Sequence, residues 1–359
     1  MRAGFLLLVA ASAAAAPLRA DLRMVSGRVR DITRPLFVLD SAARPQTFSV
    51  ASESGATRHF RVLPQPDCQA VVGESVNDDG ATAVLVQRDG AQHVLVREPG
   101  KPLLHAHRIA DGTHAVRRVS QAVFPDESEP EGTYSLRRNY DCPATESHSV
   151  VRVGVFHTKE AAEEAGGSAF VMMDVRAALA EANALVLPQS GLNISLELCA
   201  NGRIDIDEGT RPGNTLDNFV RHGGVDVIRT AAKCDAVVLY ASTAALGWRS
   251  CGIGQLPGTH SVVAGPCFKD NLSFLHELGH NLNACHLGCG NGRSAYANTA
   301  QNFRTIMAYA STCNNCPRIP RFSNSLPAFS WNGHAIGDAE HDNTRVMNAW
   351  RGILEGRVC

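Results

Sequence analysis

The sequence predicts a chain in two parts: an all-β N-terminal segment, then an α/β domain with a mixed, twisted sheet and helices packed on it. Three observations carry this. Residues 21 to about 120 hold short alternating apolar runs separated by Asp-Gly pairs, the chemistry of tight hairpins. From Ser149 onward, strand-like and helix-like periods alternate, the pattern of a sheet covered by helices. Between them, Pro125-Asp126-Glu127-Ser128-Glu129-Pro130-Glu131-Gly132 is polar, acidic and twice interrupted by proline, as an exposed linker would be.

In the first part, Ala83-Val84-Leu85-Val86 and His93-Val94-Leu95-Val96 are strand-like, and Asp79-Gly80, Asp89-Gly90 and Asp111-Gly112 supply turns. His105 and His107 share one face of a strand. With no third ligand nearby in sequence they read as surface residues. In the second part, Val150 to Phe156 is an interior strand, and Thr158 caps a helix that begins at Lys159. Val171, Val175, Leu179, Ala182 and Val186 recur at helical spacing over 170–187, and Pro188 is expected to stop that helix. Asn193 to Leu198 alternates as a half-buried strand. A helix is expected over 216–232, an interior strand over 236–240, and short strands over 252–256 and 261–264.

Composition narrows the function. The chain has 359 residues, 44% hydrophobic and 19% charged, so it buries a sizeable core. Its 34 basic and 35 acidic residues leave a net charge of −1, so no nucleic-acid partner is expected. Eleven cysteines point to an oxidising compartment. Met1-Arg2, the apolar run Ala3 to Ala16 and the small residues after it read as a secretory signal. That run is too short to span a bilayer, which takes about 20 apolar residues. The expected organisation is a signal peptide over 1–20, a β-rich segment over 21–120, a linker over 121–147 with Arg137-Arg138 as candidate processing site, and an α/β domain over 148–359. The expected location is extracellular or periplasmic, with no membrane anchor.

The chemistry sits in His276-Glu277-Leu278-Gly279-His280-Asn281-Leu282-Asn283-Ala284-Cys285-His286. Asp270 or Asn271 would cap a helix through this segment. His276 and His280, four apart, leave the same helical face, a spacing that lets two imidazoles meet one Zn²⁺. Glu277 is rotated away from ligation but within reach of a metal-activated water, where a carboxylate serves as general base. His286 lies beyond one helical turn, so the chain must reverse. Asn283 sits at that point and tolerates a left-handed backbone. Three histidines with a fourth position open describe a catalytic rather than a structural zinc site.

Thr305-Ile306-Met307-Ala308-Tyr309 follows about twenty residues after His286. With the zinc segment it resembles the metzincin superfamily of zinc endopeptidases. Arg304 to Tyr309, Cys313-Asn314-Asn315-Cys316 and Arg321-Phe322-Ser323-Asn324 resemble its reprolysin-like branch, which includes secreted bacterial peptidyl-Asp metallopeptidases. The resemblance covers about residues 149–348. It implies a metzincin-like catalytic domain with one zinc in the cleft, a β-rich propeptide before it, and protein or peptide substrates. It gives Met307 the role of a hydrophobic floor beneath the zinc. Tyr309 takes either a metal or oxyanion contact or a place in the pocket wall. The strand near 252–256 becomes the cleft edge, where a peptide adds as a strand. The family usually has Gly where this chain has Asn283.

Ten cysteines lie from Cys142 onward, which leaves Cys68 alone in the N-terminal part. Cys68 is a candidate latency ligand for the open zinc position, or an inert thiol. Cys251 with Cys267, and pairs among Cys285, Cys289, Cys313 and Cys316, are the expected disulfides; a second, structural zinc is the alternative for the last four. Arg304, Arg318 and Arg321 would favour an acidic substrate side chain or simply lie on the surface. The resulting function is a secreted, zymogen-type zinc metalloendopeptidase. The alternatives are a catalytically silent zinc-dependent binding protein on the same fold, and a zinc hydrolase of a non-peptide bond.

Overall fold

The computed structural model describes residues 37–39, 47–51, 57–64, 70–77, 80–88, 91–108, 114–133, 148–243, 249–289 and 293–354. The expected signal segment, Cys68, Cys142, Cys359, Arg137-Arg138 and the Asp89-Gly90 and Asp111-Gly112 turns lie outside them.

The alternating runs of the first part pair in sequence order into an eight-stranded antiparallel sheet. Its strands are β1 Phe37–Leu39, β2 Thr47–Ala51, β3 Thr57–Val62, β4 Ala70–Ser75, β5 Thr82–Arg88, β6 Ala91–Arg97, β7 Leu103–Arg108 and β8 His114–Val119. Several of its runs are continuously apolar because both faces are covered. Phe48 and Phe60 stack at 5.3 Å among residues of one face. Val72, Val84, Val86 and Leu95 on the other face join Met173, Ala177 and Ala180 of the second part.

The second sheet has the order β11-β10-β12-β14-β13-β9. Its strands are β9 Glu131–Thr133, β10 Ser149–His157, β11 Ile194–Arg203, β12 Ala236–Ala241, β13 Gly252–Leu256 and β14 His260–Ala264. β11, β10, β12 and β14 run parallel, β13 is antiparallel to β14, and β9 is parallel to β13. The sheet is therefore mixed, and its interior strands are buried on both faces, as their unbroken apolar sequence requires. Helix α1 Lys159–Ala165 begins at Thr158, whose side chain accepts from the Ala161 amide.

Helix α2 Ser168–Glu181 lies between the two sheets. Val171, Val175 and Leu179 face β10 and its neighbours, while Met173, Ala177 and Ala180 face the N-terminal sheet. Pro188 does not stop this helix. A π-helical turn over Ala182–Val186 leads into a further turn, Leu187–Ser190, and Pro188 falls at that turn's start, where a missing N–H costs little. Gly191, at φ 81°, ends the run. The helix expected over 216–232 is two helices, α3 Pro212–Arg221 and α4 Gly223–Ala231, broken at His222, whose backbone is extended before Gly223-Gly224.

Disulfides join Cys251 to Cys267, Cys313 to Cys316, and Cys199 to Cys234. The first was expected and the last was not. With Cys313 and Cys316 bonded to each other, a four-thiolate zinc is excluded, and Cys285 and Cys289 remain as neighbouring thiols. No helix among the described residues is long and apolar enough to cross a membrane.

Candidate active site

Helix α5 Ser273–Asn281 is buried along its whole length. Neither expected cap is used, because Leu272 occupies the cap position at φ 60°. Asp270 instead accepts from Lys269 Nζ at 2.7 Å, and Asn271 Nδ2 donates to Ser273 Oγ at 3.1 Å. The helix ends where the sequence requires a reversal. Asn283 takes φ 68°, its amide donates to His280 O at 2.8 Å, and the Ala284 amide donates to Gly279 O at 2.9 Å. Asparagine is among the few side chains that accept this backbone cheaply.

The reversal brings His286 back onto the helix. His286 Nε2 lies 2.9 Å from His276 Nε2 and 2.9 Å from His280 Nε2. The opposite ring nitrogens are committed to carbonyls, with His276 Nδ1 2.8 Å from Ile306 O and His280 Nδ1 2.9 Å from Ala284 O. Those carbonyls accept only from N–H, so both rings carry the proton on Nδ1 and turn an Nε2 lone pair inward. Converging lone pairs repel one another unless a cation lies between them. Zn–N bonds of 2.0–2.1 Å at a tetrahedral angle need N···N spacings of about 3.3 Å, a small outward adjustment. The three residues therefore fit a zinc ion. Burial holds the imidazoles neutral. It lowers His276 well below the ordinary histidine range, with the neighbouring His280 adding to the effect. Burial first, then His286, brings His280 to about 3, and burial brings His286 to about 4.

Glu277 is fully buried on the adjoining side of α5. Among the described residues no protein donor reaches either of its carboxyl oxygens. Burial, then the Glu127 charge, raises its pKa well above the usual carboxylate range. β13 makes room for it: a Cβ at Gly252 would lie 2.5 Å from Glu277 Oε1 and one at Gly254 2.9 Å from Oε2. Beneath the helix, a Cβ at Gly279 would lie 2.6 Å from Met307 Sδ, so this glycine is what lets the methionine pack under the histidines. Tyr309 has its ring 4.0 Å from that of His286. Burial and the nearby Glu129 push its hydroxyl well above the usual phenol range.

The acidic stretch read as an exposed linker instead packs against this histidine cluster. Glu127 is fully buried and forms a two-pronged ion pair with Arg318, at 2.6 and 2.7 Å. Ser273 Oγ donates to it at 2.6 Å, and its carboxylate is 3.7 Å from His276 Nδ1. Burial alone would raise its pKa, but the Arg318 guanidinium, then His276 and Ser273, hold it well below the carboxylate range. Asp126 accepts from the Ala310 amide at 2.8 Å, the Ser128 amide donates to Gly252 O at 2.8 Å, and Glu129 reaches to 3.5 Å from His286 Nδ1. β9 then continues along β13. Glu127 and Glu129 were not foreseen as site residues; the acidic run is visible in the sequence, but nothing in it points to this site.

Of the three arginines considered for the pocket, none lies on the surface. Arg318 reaches the site. Arg304 braces the turn around Met307 through Ala308 O and Cys316 O. Arg321 lies elsewhere, over the Trp331 ring at 5.2 Å. His105, read as a surface residue, is buried at 4% exposure beside His93. Sequence proximity misled here, because its neighbours come from another strand and from α2.

No family model matches the chain. Over 95 residues it is 34% identical to a peptidyl-Asp metalloendopeptidase of Pseudomonas fragi, a match covering 24% of this chain and 60% of that protein. The chain thus spans less than two thirds of that relative's length. A structure described as a chaperone–substrate complex superposes with TM-score 0.50 at 14% identity, over 74% of this chain and 44% of that one, which shows a shared fold alone. Metalloproteinase-II from Bacteroides fragilis superposes with TM-score 0.47 at 10% identity, over 84% and 90%.

Proposed function

We propose that this chain is a zinc-dependent metalloendopeptidase, secreted with its own acidic segment lying in the active-site cleft. The convergence of His276, His280 and His286 Nε2 beside a buried glutamate that no donor among the described residues reaches carries the reading. The likeness to a metalloendopeptidase over 95 residues supports it. These three histidines would hold the Zn²⁺, which supplies Lewis acidity to the scissile carbonyl and lowers the pKa of a water. Glu277 would take the proton of that water and pass it to the leaving amine, a transfer suited to a carboxyl whose pKa burial raises above the usual carboxylate range. A catalytically silent binding protein would have no use for a buried glutamate that no donor among the described residues reaches.

Peptide substrate binds along β13, adding a strand as β9 does here. Arg318, at the bottom of the pocket that now holds Glu127, selects an acidic side chain through the same two-pronged contact. The N-terminal sheet acts as a propeptide, and activation clears residues 125–133 from the cleft, with Arg137-Arg138 as candidate processing site. In this reading the acidic segment is a latency element; Cys68 lies outside the described residues.

The test is hydrolysis of casein and of a peptide library by purified protein. Activity is expected to vanish with a chelator, return with Zn²⁺ and be absent in Glu277→Ala, with cleavage concentrated beside acidic residues. Undiminished cleavage by Glu277→Ala would overturn the mechanism.

A further inference from the structure

The three clustered histidines are not held alike. His276 and His280 stand on α5, and each turns its Nδ1 to a backbone carbonyl, at 2.8 and 2.9 Å. His286 stands on the loop beyond the helix. Among the described residues the polar partner of its Nδ1 is the Glu129 carboxylate, 3.5 Å away and largely exposed on the acidic segment. Tyr309 packs against one side of its ring at 4.0 Å. With no carbonyl behind the ring, the aim of His286 has to come from its backbone.

That backbone is anchored from the far end of the chain. Asn343 opens helix α6 Asn343–Leu354 and is fully buried. Its Nδ2 donates to Cys285 O at 3.1 Å and to Arg293 O at 2.5 Å. Carbonyls only accept, so both N–H groups of the carboxamide must point this way and its Oδ1 the other. On that other side Ser323 Oγ donates to Oδ1 at 2.8 Å and accepts from the Asn343 amide at 2.9 Å. The carboxamide is therefore fixed at both ends. Cys285 O belongs to the planar peptide unit that joins Cys285 to His286, so holding it orients the His286 nitrogen directly. Arg293 lies on the returning limb of the same loop, where its carbonyl also accepts from the Cys285 amide at 3.2 Å and the Ala295 amide donates to His286 O at 3.3 Å. One side chain thus clips the loop before and after His286. The start of α6 does not need it: Asp342 Oδ1 accepts from the Arg345 amide at 2.9 Å, as a capping residue does.

We propose that Asn343 is a positioning residue for the histidine cluster: its carboxamide fixes the peptide unit before His286 and so aims His286 Nε2 at the point where His276 Nε2 and His280 Nε2 converge. The inference rests on the zinc reading above. Asn343 touches none of the three rings and acts through the backbone alone. The imidazole lies several bonds out from that peptide unit, so a small rotation there swings Nε2 well away from the shared point. Zinc–nitrogen bonds of about 2.0–2.1 Å leave little latitude for such a swing. Groups that orient a metal's ligands carry about 10- to 100-fold in metal affinity. For His276 and His280 that work falls to the carbonyls behind the rings; for His286 it falls to Asn343, and more so once the acidic segment and Glu129 have left.

The experiment uses the full chain carrying Glu277→Ala, which blocks self-cleavage. Zn²⁺ affinity is read by competition with a chelator, and Co²⁺ is then bound in its place, because its visible absorption reports the set of ligands. Asn343→Asp keeps the size of the side chain but sets an oxygen against the two carbonyls. It is expected to weaken Zn²⁺ binding by about 10- to 100-fold and to shift the Co²⁺ spectrum toward that of His286→Ala. A role in folding alone would lower the Tm of the metal-free protein and leave the Co²⁺ spectrum of the folded protein as in the parent. That result, or an unchanged Zn²⁺ affinity, would overturn the inference while the zinc reading stands. A parent that binds no Zn²⁺, or binds it equally well with His286→Ala, would overturn the zinc reading and the inference with it. Should Asn343→Asp not fold, Ser323→Ala gives a second measurement, since it leaves the carboxamide in place but free to turn over. Its Co²⁺ spectrum is expected to shift in the same direction by a smaller amount; a spectrum and affinity equal to the parent's would overturn the inference.

Discussion

Arg318 and Glu127 are joined by two parallel hydrogen bonds inside the protein, Nη1 to Oε1 at 2.6 Å and Nη2 to Oε2 at 2.7 Å, although 191 residues separate them. Arg318 Nη1 also donates to Asn271 O at 2.8 Å, just before α5. The acidic segment is thereby tied to the helix that carries His276. Removing one partner of a buried pair strands the other charge, at a cost of about 3–5 kcal/mol. Arg318→Met in the full chain should therefore be destabilised by about that much in urea unfolding. The Arg318→Met, Glu127→Met double variant should recover much of the loss. Equal stability of Arg318→Met and the parent would mean that Glu127 is not held here.

If the proposed function holds, the same guanidinium would face substrate once residues 125–133 are displaced. Arg318→Met should lower kcat/KM for peptides with an acidic side chain at the selected position by about 10²-fold, with little change for neutral peptides. The ratio of the two rates in one protein preparation is the measurement. A uniform loss across both peptides would show that Arg318 supports the fold alone.

The Glu127 carboxyl also sets a pH dependence. Its folded pKa is held below that of the unfolded chain, about 4.3, so its ion pair contributes full stability above that pH. The contribution is lost as the pH falls through the depressed folded value. The stability gap between parent and Glu127→Gln should be constant from pH 8 to about pH 5 and narrow below about pH 4. A gap that widens on acidification would contradict the assignment.

Gly252 gives a test of how Glu277 is placed. A Cβ there would meet Glu277 Oε1 at 2.5 Å and Val262 O at 3.0 Å, and the second neighbour is backbone that cannot step aside. Gly252→Ala should shift the carboxylate and lower kcat by about 10-fold or more, with KM little changed. Zinc content should stay at the parent level, since the three imidazoles are not touched. Loss of metal instead of turnover would place the damage in the histidine cluster.

The convergence of the three histidines was legible because its logic is local. A four-residue spacing places two rings on one helical face, and Asn283 at φ 68° supplies the reversal that returns His286 to them. Strand positions in the second sheet were legible for the same reason, as period and burial agree along β10 and β12. Long-range pairings were not. Nothing near Glu127 in sequence names Arg318 as its partner, so a buried residue read as part of a solvated linker. Nothing near His105 names His93 or Asp174. The continuation past Pro188 was missed because a π turn resets the register, and a proline then falls where its N–H is not needed.

Metal affinity should depend weakly on pH over a range where most histidine sites weaken. Zinc needs neutral imidazole, so protons compete wherever the pH nears the histidine pKa. An ordinary imidazole, titrating at about 6.5, loses affinity steadily from neutral pH downward. Burial has brought His280 to about 3 and His286 to about 4, so neither carries a proton to be displaced at pH 5. Affinity measured by competition with a fluorescent chelator is expected to stay nearly flat from pH 7 to about pH 5 and to fall steeply only below about pH 4. A tenfold or greater drop between pH 7 and pH 6 would mean that these rings titrate like exposed ones and are not packed as described.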